Sequence, residues 1–258
     1  MSVLDRILAR TRREVARRRT HRWTAPPRVE RASAAVAALR RVGPPRVVAE
    51  VKFRSPSAGQ IRARAPGAGR AIARSYELGG AAAISVLADG PSFGGGVLEV
   101  RRVASDVSVP VLFKGFVVDP IQVELAVRAG ASMVLLLARA LRPSELSDLV
   151  ATCDAYGVAP LVEAADEAEL ELALATGARL VGVNARDLHT FEVDADRAWQ
   201  CLGRIPQDRV AIYMSGVRSA ADLRRVGESR ADAVLVGEGL MRTEDPGRTL
   251  AIWLEETK

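Results

Sequence analysis

Short runs of consecutive apolar residues recur along most of the chain, and each is followed by a segment with helical apolar periodicity. Runs that are apolar at every position are typical of strands buried on both faces, as in a parallel sheet. Eight such units predict the α/β class and favour a closed (β/α)8 TIM barrel over an open doubly wound sheet. The runs are Val47–Val51, Ala82–Leu87, Val109–Leu112, Met133–Leu137, Ala159–Val162, Leu180–Val183, Val210–Ile212 and Ala233–Val236.

The first part of the chain precedes this repeat and has a different pattern. A helical pattern through Val3 to Val15, a Pro-rich break at Ala25 to Pro27, an Ala-rich helix and a second break at Gly43 to Pro45 follow one another. We therefore expect an N-terminal helical extension at residues 1–46 that packs on a barrel formed by residues 47–258. A length of 258 residues suits one barrel of this kind.

The net charge of +6 raises the question of nucleic-acid binding. The excess of positive charge lies within residues 1 to 22, and the remainder of the chain is near neutral. The stretch lacks aromatic residues interleaved with its arginines apart from Trp23, so a solvated amphipathic helix explains it more simply and we expect no nucleic-acid partner. The arginines concerned are Arg6, Arg10, Arg12, Arg13, Arg17, Arg18, Arg19 and Arg22.

Two cysteines, Cys153 and Cys201, form neither a metal-like cluster nor a disulfide framework. This usage indicates a reducing compartment, and we expect the cytoplasm. No apolar run approaches the roughly 20 residues that a membrane span requires. We expect a protein without a membrane partner, and a monomer or weak homo-oligomer.

Lysine is rare: of 37 cationic side chains only Lys52, Lys114 and Lys258 are lysines. Arginine keeps its proton near neutral pH, whereas a lysine in suitable surroundings can exchange one. Both internal lysines follow predicted strands, at the end of the barrel where active sites of this fold are built.

Two carboxylates accompany these lysines at the strand ends. Glu50 and Lys52 end the first strand, Lys114 the third and Glu163 the fifth. Such a set is either a structural ion-pair network or the acid and base of an active site. We favour the catalytic interpretation for all four residues.

Glycine turns follow the last two strands. Ser215-Gly216-Val217 and Gly237-Glu238-Gly239-Leu240 offer backbone N–H groups that can converge on an anion. Their pairing predicts a phosphate site at Gly216, Gly237, Glu238 and Gly239, and therefore a phosphorylated small-molecule substrate.

Several segments together resemble indole-3-glycerol-phosphate synthase over nearly the whole chain. The most specific are Ser55-Pro56-Ser57-Ala58-Gly59 and Thr190-Phe191-Glu192-Val193-Asp194. The others are Val48 to Lys52, Asp119-Pro120 with Gln122, Leu161-Val162-Glu163, Asn184 with Arg186, Val236-Gly237-Glu238 and Leu240-Met241-Arg242.

The resemblance implies a lyase of tryptophan biosynthesis that closes the indole ring of a carboxyphenylamino-deoxyribulose phosphate, with loss of CO2 and water and without metal or organic cofactor. Lys114 would act on the sugar carbonyl and Glu163 would carry the later proton transfers. Lys52, beside Glu50, would hold a substrate anion. Substrate-binding roles would fall to Ser55, Phe93, Asn184, Arg186, Met214 and Ser215.

Four residues depart from the family's pattern. Met214 stands where the family has a glutamate, and Gly239 where it has a phosphate-contacting serine. Phe113 and Gly115 stand where the family has an arginine before the lysine and an aspartate after it. Two alternatives therefore stay open: a divergent paralogue that acts on a related N-aryl aminosugar phosphate in specialised metabolism, and a non-catalytic barrel that binds a phosphorylated metabolite.

Overall fold

The fold is a closed barrel of eight parallel strands surrounded by helices, as predicted. The computed structural model describes residues 2–19, 24–187 and 192–257. Each strand pairs with its sequence neighbours, and the first closes the ring against the last through Arg46↔Ala233 and Val48↔Leu235. The strands are β1 (Arg46–Val51), β2 (Ala83–Leu87), β3 (Val111–Lys114), β4 (Met133–Leu137), β5 (Ala159–Ala164), β6 (Leu180–Asn184), β7 (Val210–Met214) and β8 (Ala233–Val236).

Helices follow the strands around the outside of the barrel. Several begin at a side-chain cap directly after the loop that leaves a strand, for example Asp119 before Pro120 and Asp166 before Glu167. They are α1 (Val3–Arg18), α2 (Ala32–Leu39), α3 (Ala68–Leu78), α4 (Gly90–Phe93), α5 (Val97–Ala104), α6 (Pro120–Arg128), α7 (Pro143–Tyr156), α8 (Glu167–Ala175), α9 (Ala195–Gly203), α10 (Ala220–Gly227), α11 (Glu238–Met241) and α12 (Pro246–Glu255).

The strand predictions agree with the structure except at some strand ends. The largest difference is in β3, which the sequence predicts at Val109–Leu112 and which runs from Val111 to Lys114. Pro110 explains the shift, because it lacks the N–H that a central strand needs. Lys114 is therefore the last residue of the strand, and not a loop residue.

The two helices that precede β1 lie at opposite ends of the barrel. α1 begins at a capping box in which Ser2 and Asp5 bond each other's backbone N–H. Its arginines reach loops that leave the carboxyl ends of the strands: Arg10 contacts Asp89, Arg12 contacts Ala140 and Arg19 contacts Asp119. α1 therefore lies beside the face where the active site is expected.

α2 lies at the other end, where the strands begin. Ala35, Val36 and Leu39 are buried there, and Arg40, which follows the helix, donates to the carbonyls of Gln207 and Arg209. The connection between α1 and α2 includes the Pro-rich break and forms no helix from Thr24 to Glu30. Thr190 and Phe191 of the Thr190 to Asp194 motif, as well as Arg22 and Trp23, lie outside the described residues.

None of the described helices has the length and hydropathy needed to cross a bilayer.

Candidate active site

A pocket opens at the carboxyl ends of the strands and brings together nearly all of the predicted site residues. Its apolar floor is formed by Leu87, Leu135, Leu137 and Leu235. The predicted residues that line it are Glu50, Lys52, Ser55, Phe93, Lys114, Glu163, Asn184, Arg186, Met214, Ser215, Gly216, Gly237 and Glu238. Gly239 does not line it.

A tight, buried ion pair lies at the end of β1. Lys52 Nζ is 2.8 Å from Glu50 Oε1, and Ser85 on β2 donates to Glu50 Oε2 at 3.1 Å. Burial by itself raises the pKa of the Glu50 carboxyl, but the charges of Lys52 and Lys114 and the hydrogen bonds from Lys52 and Ser85 outweigh it, so that the pKa lies below its ordinary value. Glu50 is therefore an anion with both oxygens engaged.

Lys114 and Glu163 face each other across the mouth in a looser arrangement. Lys114 Nζ lies 3.7 Å from Glu163 Oε2, which is beyond hydrogen-bond distance. Asn184 Nδ2 donates to Glu163 Oε1 at 2.8 Å, and the backbone N–H of Arg186 donates to Asn184 Oδ1 at 3.0 Å. This relay fixes one oxygen of the carboxylate and leaves the other directed at the lysine.

Glu163 Oε2 is buried and has no hydrogen-bond partner among the described residues. An unsatisfied buried acceptor costs about 1–3 kcal/mol. Arg197 Nε and Arg230 Nε are also buried without a hydrogen-bond partner, but of the three atoms only Glu163 Oε2 belongs to a residue that lines the pocket, where a ligand can engage it. A purely structural ion-pair network accounts for Glu50 and Lys52 but not for Glu163. This asymmetry supports an acid and base at Lys114 and Glu163.

One wall of the pocket is aromatic. Phe93 on α4 and Phe116 after β3 pack against each other with ring centroids 5.9 Å apart. The sequence analysis singled out Phe93 only; Phe116 was missed, although its place two residues after Lys114 was a signal that could have found it. Together the rings offer an apolar surface for a planar group.

Met214, at the end of β7, adds a further apolar surface. The side chain is buried, and it packs so closely over Gly182 of β6 that a Cβ there would lie 2.5 Å from the methionine sulphur. Gly115 lines the pocket too, and a Cβ there would lie 3.0 Å from a ring carbon of Phe113. Of the four departures, Met214 and Gly115 are therefore at the pocket wall, and Phe113 and Gly239 do not line it.

The turns after β7 and β8 form the remaining rim. Ser215 and Gly216 have φ values of 73° and 85°, a left-handed turn that is strained for the serine. Arg218, which the sequence analysis missed, also lines this rim and brings a positive charge. Backbone N–H groups and a guanidinium in one turn are suited to an anion.

Neither Gly237 nor Gly239 has room for a side chain in this structure. A Cβ on Gly237 would lie 2.7 Å from Glu50 Oε1, so the β8 turn runs directly against the Glu50–Lys52 pair. A Cβ on Gly239 would lie 2.7 Å from the carbonyl oxygen of Val217. The turns after β7 and β8 therefore pack directly against each other at residue 239.

The carboxylate of Glu238 would repel a bound phosphate, but it is paired with a cation of its own helix turn. Its side chain pairs with Arg242 at 2.9 Å. Burial raises its pKa, but the hydrogen bond and charge of Arg242, with the charges of Lys52 and Arg218, lower it below the ordinary value. Only the backbone of Glu238 is thus suited to phosphate binding.

Ser55 and Arg186 complete the mouth on opposite sides. Ser55 Oγ accepts from the backbone N–H of Ala58 at 3.1 Å and lies 3.3 Å from Ser57 Oγ, which fixes the loop after β1. Arg186 follows β6 and forms an isolated bridge with Val193. Among the described residues no group of three or more His, Cys, Asp or Glu side chains could hold a metal ion.

Comparison with known proteins gives a consistent result. The model of the indole-3-glycerol phosphate synthase family matches residues 4–251. Proteins named indole-3-glycerol phosphate synthase are 42% identical in Polaromonas sp. strain JS666, covering 96% of this chain and 97% of that protein, and 41% identical in Rhodopirellula baltica, covering 95% and 96%. A third, from Mycobacterium ulcerans, is 42% identical over 97% of this chain and 93% of that protein.

Solved structures agree on the fold. The 3-hexulose-6-phosphate synthase of Salmonella typhimurium superimposes with a TM-score of 0.64 at 15% identity, covering 83% of this chain and all of that one. The structure titled native KDPGal has a TM-score of 0.58 at 16% identity, covering 81% of this chain and 93% of that one. The family match over almost the entire length, the relatives above 40% identity and the barrel-mouth site together establish that the chain belongs to the indole-3-glycerol phosphate synthase family.

Proposed function

We propose that this protein is an indole-3-glycerol phosphate synthase, a carboxy-lyase of tryptophan biosynthesis. It closes the indole ring of 1-(2-carboxyphenylamino)-1-deoxyribulose 5-phosphate and releases CO2 and water. The observation that carries the proposal is that Lys114 Nζ and Glu163 Oε2, which has no hydrogen-bond partner among the described residues, face each other across 3.7 Å at the pocket mouth. The free, buried cysteines support a cytoplasmic site for the reaction.

The first step is the attack of the carboxylate-bearing ring carbon on the sugar carbonyl. Lys114 donates a proton to the carbonyl oxygen while the carbon–carbon bond forms, so the oxygen leaves this step as a hydroxyl. Loss of CO2 then returns an electron pair to the ring. In the final dehydration the hydroxyl leaves as water with a proton donated by Lys52, and Glu163 accepts a proton from the methylene carbon next to the ring nitrogen, which forms the double bond of the new ring.

The remaining residues bind the substrate. The aryl ring lies against Phe93 and Phe116, and its carboxylate is within the reach of Ser55 and Lys52. The phosphate is received by the turns at Ser215–Gly216 and Gly237–Glu238, with Arg218 as a counter-charge. Arg186 and Asn184 orient the sugar between these two ends.

Met214 makes the substrate's amino group face a thioether instead of a carboxylate. The acid and base lie on β3 and β5, and neither depends on Met214 for a hydrogen bond. We therefore expect the chemistry to proceed without a carboxylate on β7. An ammonium and a carboxylate that face each other across the pocket mouth favour acid–base catalysis over binding alone.

Turnover of the carboxyphenylamino-deoxyribulose phosphate tests this proposal. Purified protein is incubated with the compound, and the reaction is followed by indole fluorescence and by the masses of the products. Met214→Glu supplies the carboxylate, and Met214→Leu is the apolar control.

We expect indole-3-glycerol phosphate from the unchanged protein and from Met214→Leu, because the acid–base pair is intact in both. Product from Met214→Glu alone, or a product of another mass from the unchanged protein, would contradict the proposal and point to a different substrate or reaction.

A further inference from the structure

Phe93, one of the two rings of the aromatic wall, lies on a short, glycine-rich segment after β2. Phe93 ends the four-residue helix α4, and three glycines, Gly94 to Gly96, follow it directly. Such a run of glycines loses much conformational freedom when it is fixed. Contacts from outside the segment therefore add to its few internal hydrogen bonds in fixing the Phe93 ring.

One of these contacts comes from α1. Arg10 forms an ion pair with Asp89, the N-cap residue of α4, and donates through its second terminal nitrogen to Ser92 Oγ at 3.2 Å. Asp89 in turn accepts from the backbone N–H of Ser92 at 2.7 Å. The guanidinium thus joins the two ends of the single turn that presents Phe93.

The ion pair is partly shielded from water. The exposed fraction is 32% for the Arg10 side chain and 10% for that of Asp89, so the pair is screened less than one on an open surface. A planar guanidinium can bridge a carboxylate and a hydroxyl at once, which a lysine ammonium does with less geometric definition. Arg10 therefore has the geometry of a positioning group.

The end of α1 contacts the loop that carries Phe116, the other ring of the wall. Arg19 pairs with Asp119, which caps α6 at the end of the loop that carries Phe116. α1 itself is fixed by Leu4, Ile7 and Val15, which are buried. Both loops that supply the aromatic wall are thus tied to one helix outside the barrel.

We propose that Arg10 is a positioning residue that acts through Asp89 and Ser92 to hold Phe93 against Phe116 in the ring-binding wall of the pocket. The identity of the bound ring rests on the proposed function; the positioning does not. Phe93 takes no part in the proton transfers, and its ring contacts the substrate and the transition state equally. Loss of Arg10 therefore weakens binding and leaves the chemical step unchanged.

Kinetics provide the first test. Arg10→Met keeps the length of the side chain and removes the guanidinium, Arg10→Lys keeps the charge, and Arg13→Met removes an exposed arginine from the same helix. We expect Arg10→Met to raise KM about fivefold, the factor that a partly shielded ion pair contributes, with kcat within about twofold. Arg10→Lys should recover part of the loss, and Arg13→Met should match the unchanged protein.

A double-mutant cycle separates positioning from general destabilisation. Because Arg10 acts through Phe93, adding Arg10→Met to Phe93→Ala should raise KM no further than Phe93→Ala alone. Additive effects on KM, or a fall in kcat at constant KM, would overturn the proposal.

Hydrogen exchange tests the positioning without any substrate. The backbone N–H groups of Ser92, Gly94, Gly95 and Gly96 all donate within this segment or to Leu87. They should exchange faster in Arg10→Met and at an unchanged rate in Arg13→Met. Unchanged exchange in Arg10→Met would overturn the proposal. If the unchanged protein fails to turn over the substrate, the proposed function fails, and exchange still decides the role of Arg10.

Discussion

The two oxygens of the Glu163 carboxylate have different surroundings, and this difference is the basis of the proposed chemistry. Oε1 accepts from Asn184, whereas Oε2 has no hydrogen-bond partner among the described residues. Glu50 differs, since Lys52 and Ser85 engage both of its oxygens. One carboxylate is therefore available for proton transfer, while the other holds Lys52 in place.

The state of Glu50 gives a pH-dependent prediction. Because its folded pKa lies below the ordinary value of 4.5, it stabilises the fold above about pH 4.5 and that stabilisation is lost as the pH falls through the folded pKa. The difference in unfolding free energy between the unchanged protein and Glu50→Gln should therefore shrink below pH 4.5. Urea unfolding at pH 7 and at steps below pH 5 measures it.

Glu30→Gln is the control for this prediction, since the Glu30 carboxylate is exposed. Its difference from the unchanged protein should stay small at every pH. A Glu50→Gln difference that is constant from pH 7 to pH 3.5 would show that Glu50 is not a stabilising anion.

Individual site residues differ in how far the sequence could predict them. Lys52 and Lys114 stand out because the chain otherwise uses arginine, and strand-end positions identify Glu50 and Glu163 as their neighbours. Arg218 and Ser85 were missed, because an arginine in an arginine-rich chain and a serine inside a buried strand carry no local signal. Their roles come from the curvature of the barrel, which brings distant strands together.

At the scale of elements, the extension docks on the end of α7 through backbone groups. Val29 N–H donates to the Tyr156 carbonyl at 2.9 Å, and the N–H groups of Arg31 and Ala32 both donate to the Gly157 carbonyl at 3.0 Å. Gly157 ends the helix with φ of 74°. A Cβ there would lie 1.5 Å from the Val29 carbonyl oxygen.

Gly157→Ala should therefore be strongly destabilising. The left-handed backbone alone costs an alanine about 1–2 kcal/mol, and the overlap with Val29 adds the cost of displacing the extension. Gly177→Ala is the matched control, since φ there is 77° but nothing lies within 4 Å of the added Cβ. Thermal unfolding should give a larger loss for Gly157→Ala, and equal losses would contradict the tight docking.

The strands were predictable because burial on both faces leaves continuous apolar runs, and only their ends required the structure. The end of β3 is the clearest case, since Pro110 cannot join the sheet and the strand extends to Lys114 instead. The location of α1 and α2 at opposite ends of the barrel could not be read from the sequence. An amphipathic pattern indicates that a helix packs, but not on which surface.

At the scale of the whole molecule, the arginines of the N-terminal stretch form contacts within the fold. Among the described residues of this stretch, Arg10, Arg12, Arg18 and Arg19 pair with carboxylates of the same chain, and Arg12 also donates to a backbone carbonyl. The positive charge that is concentrated at the N-terminus of the sequence is thus partly neutralised by carboxylates from elsewhere in the folded chain. This use of the guanidiniums favours a helix that supports the barrel mouth over a nucleic-acid surface.

The proposed function assigns to the barrel mouth a proton donor, Lys114, and a proton acceptor, Glu163, for a phosphorylated substrate. The most direct test is kcat for indole-3-glycerol phosphate formation by Lys114→Met and Glu163→Gln, beside Glu77→Gln, whose carboxylate bonds Ser108 at the opposite end of the barrel. General acid–base catalysis predicts that each of the first two lowers kcat at least about 100-fold and that Glu77→Gln does not. Losses below about tenfold in both site variants would contradict the assignment of Lys114 and Glu163 as acid and base.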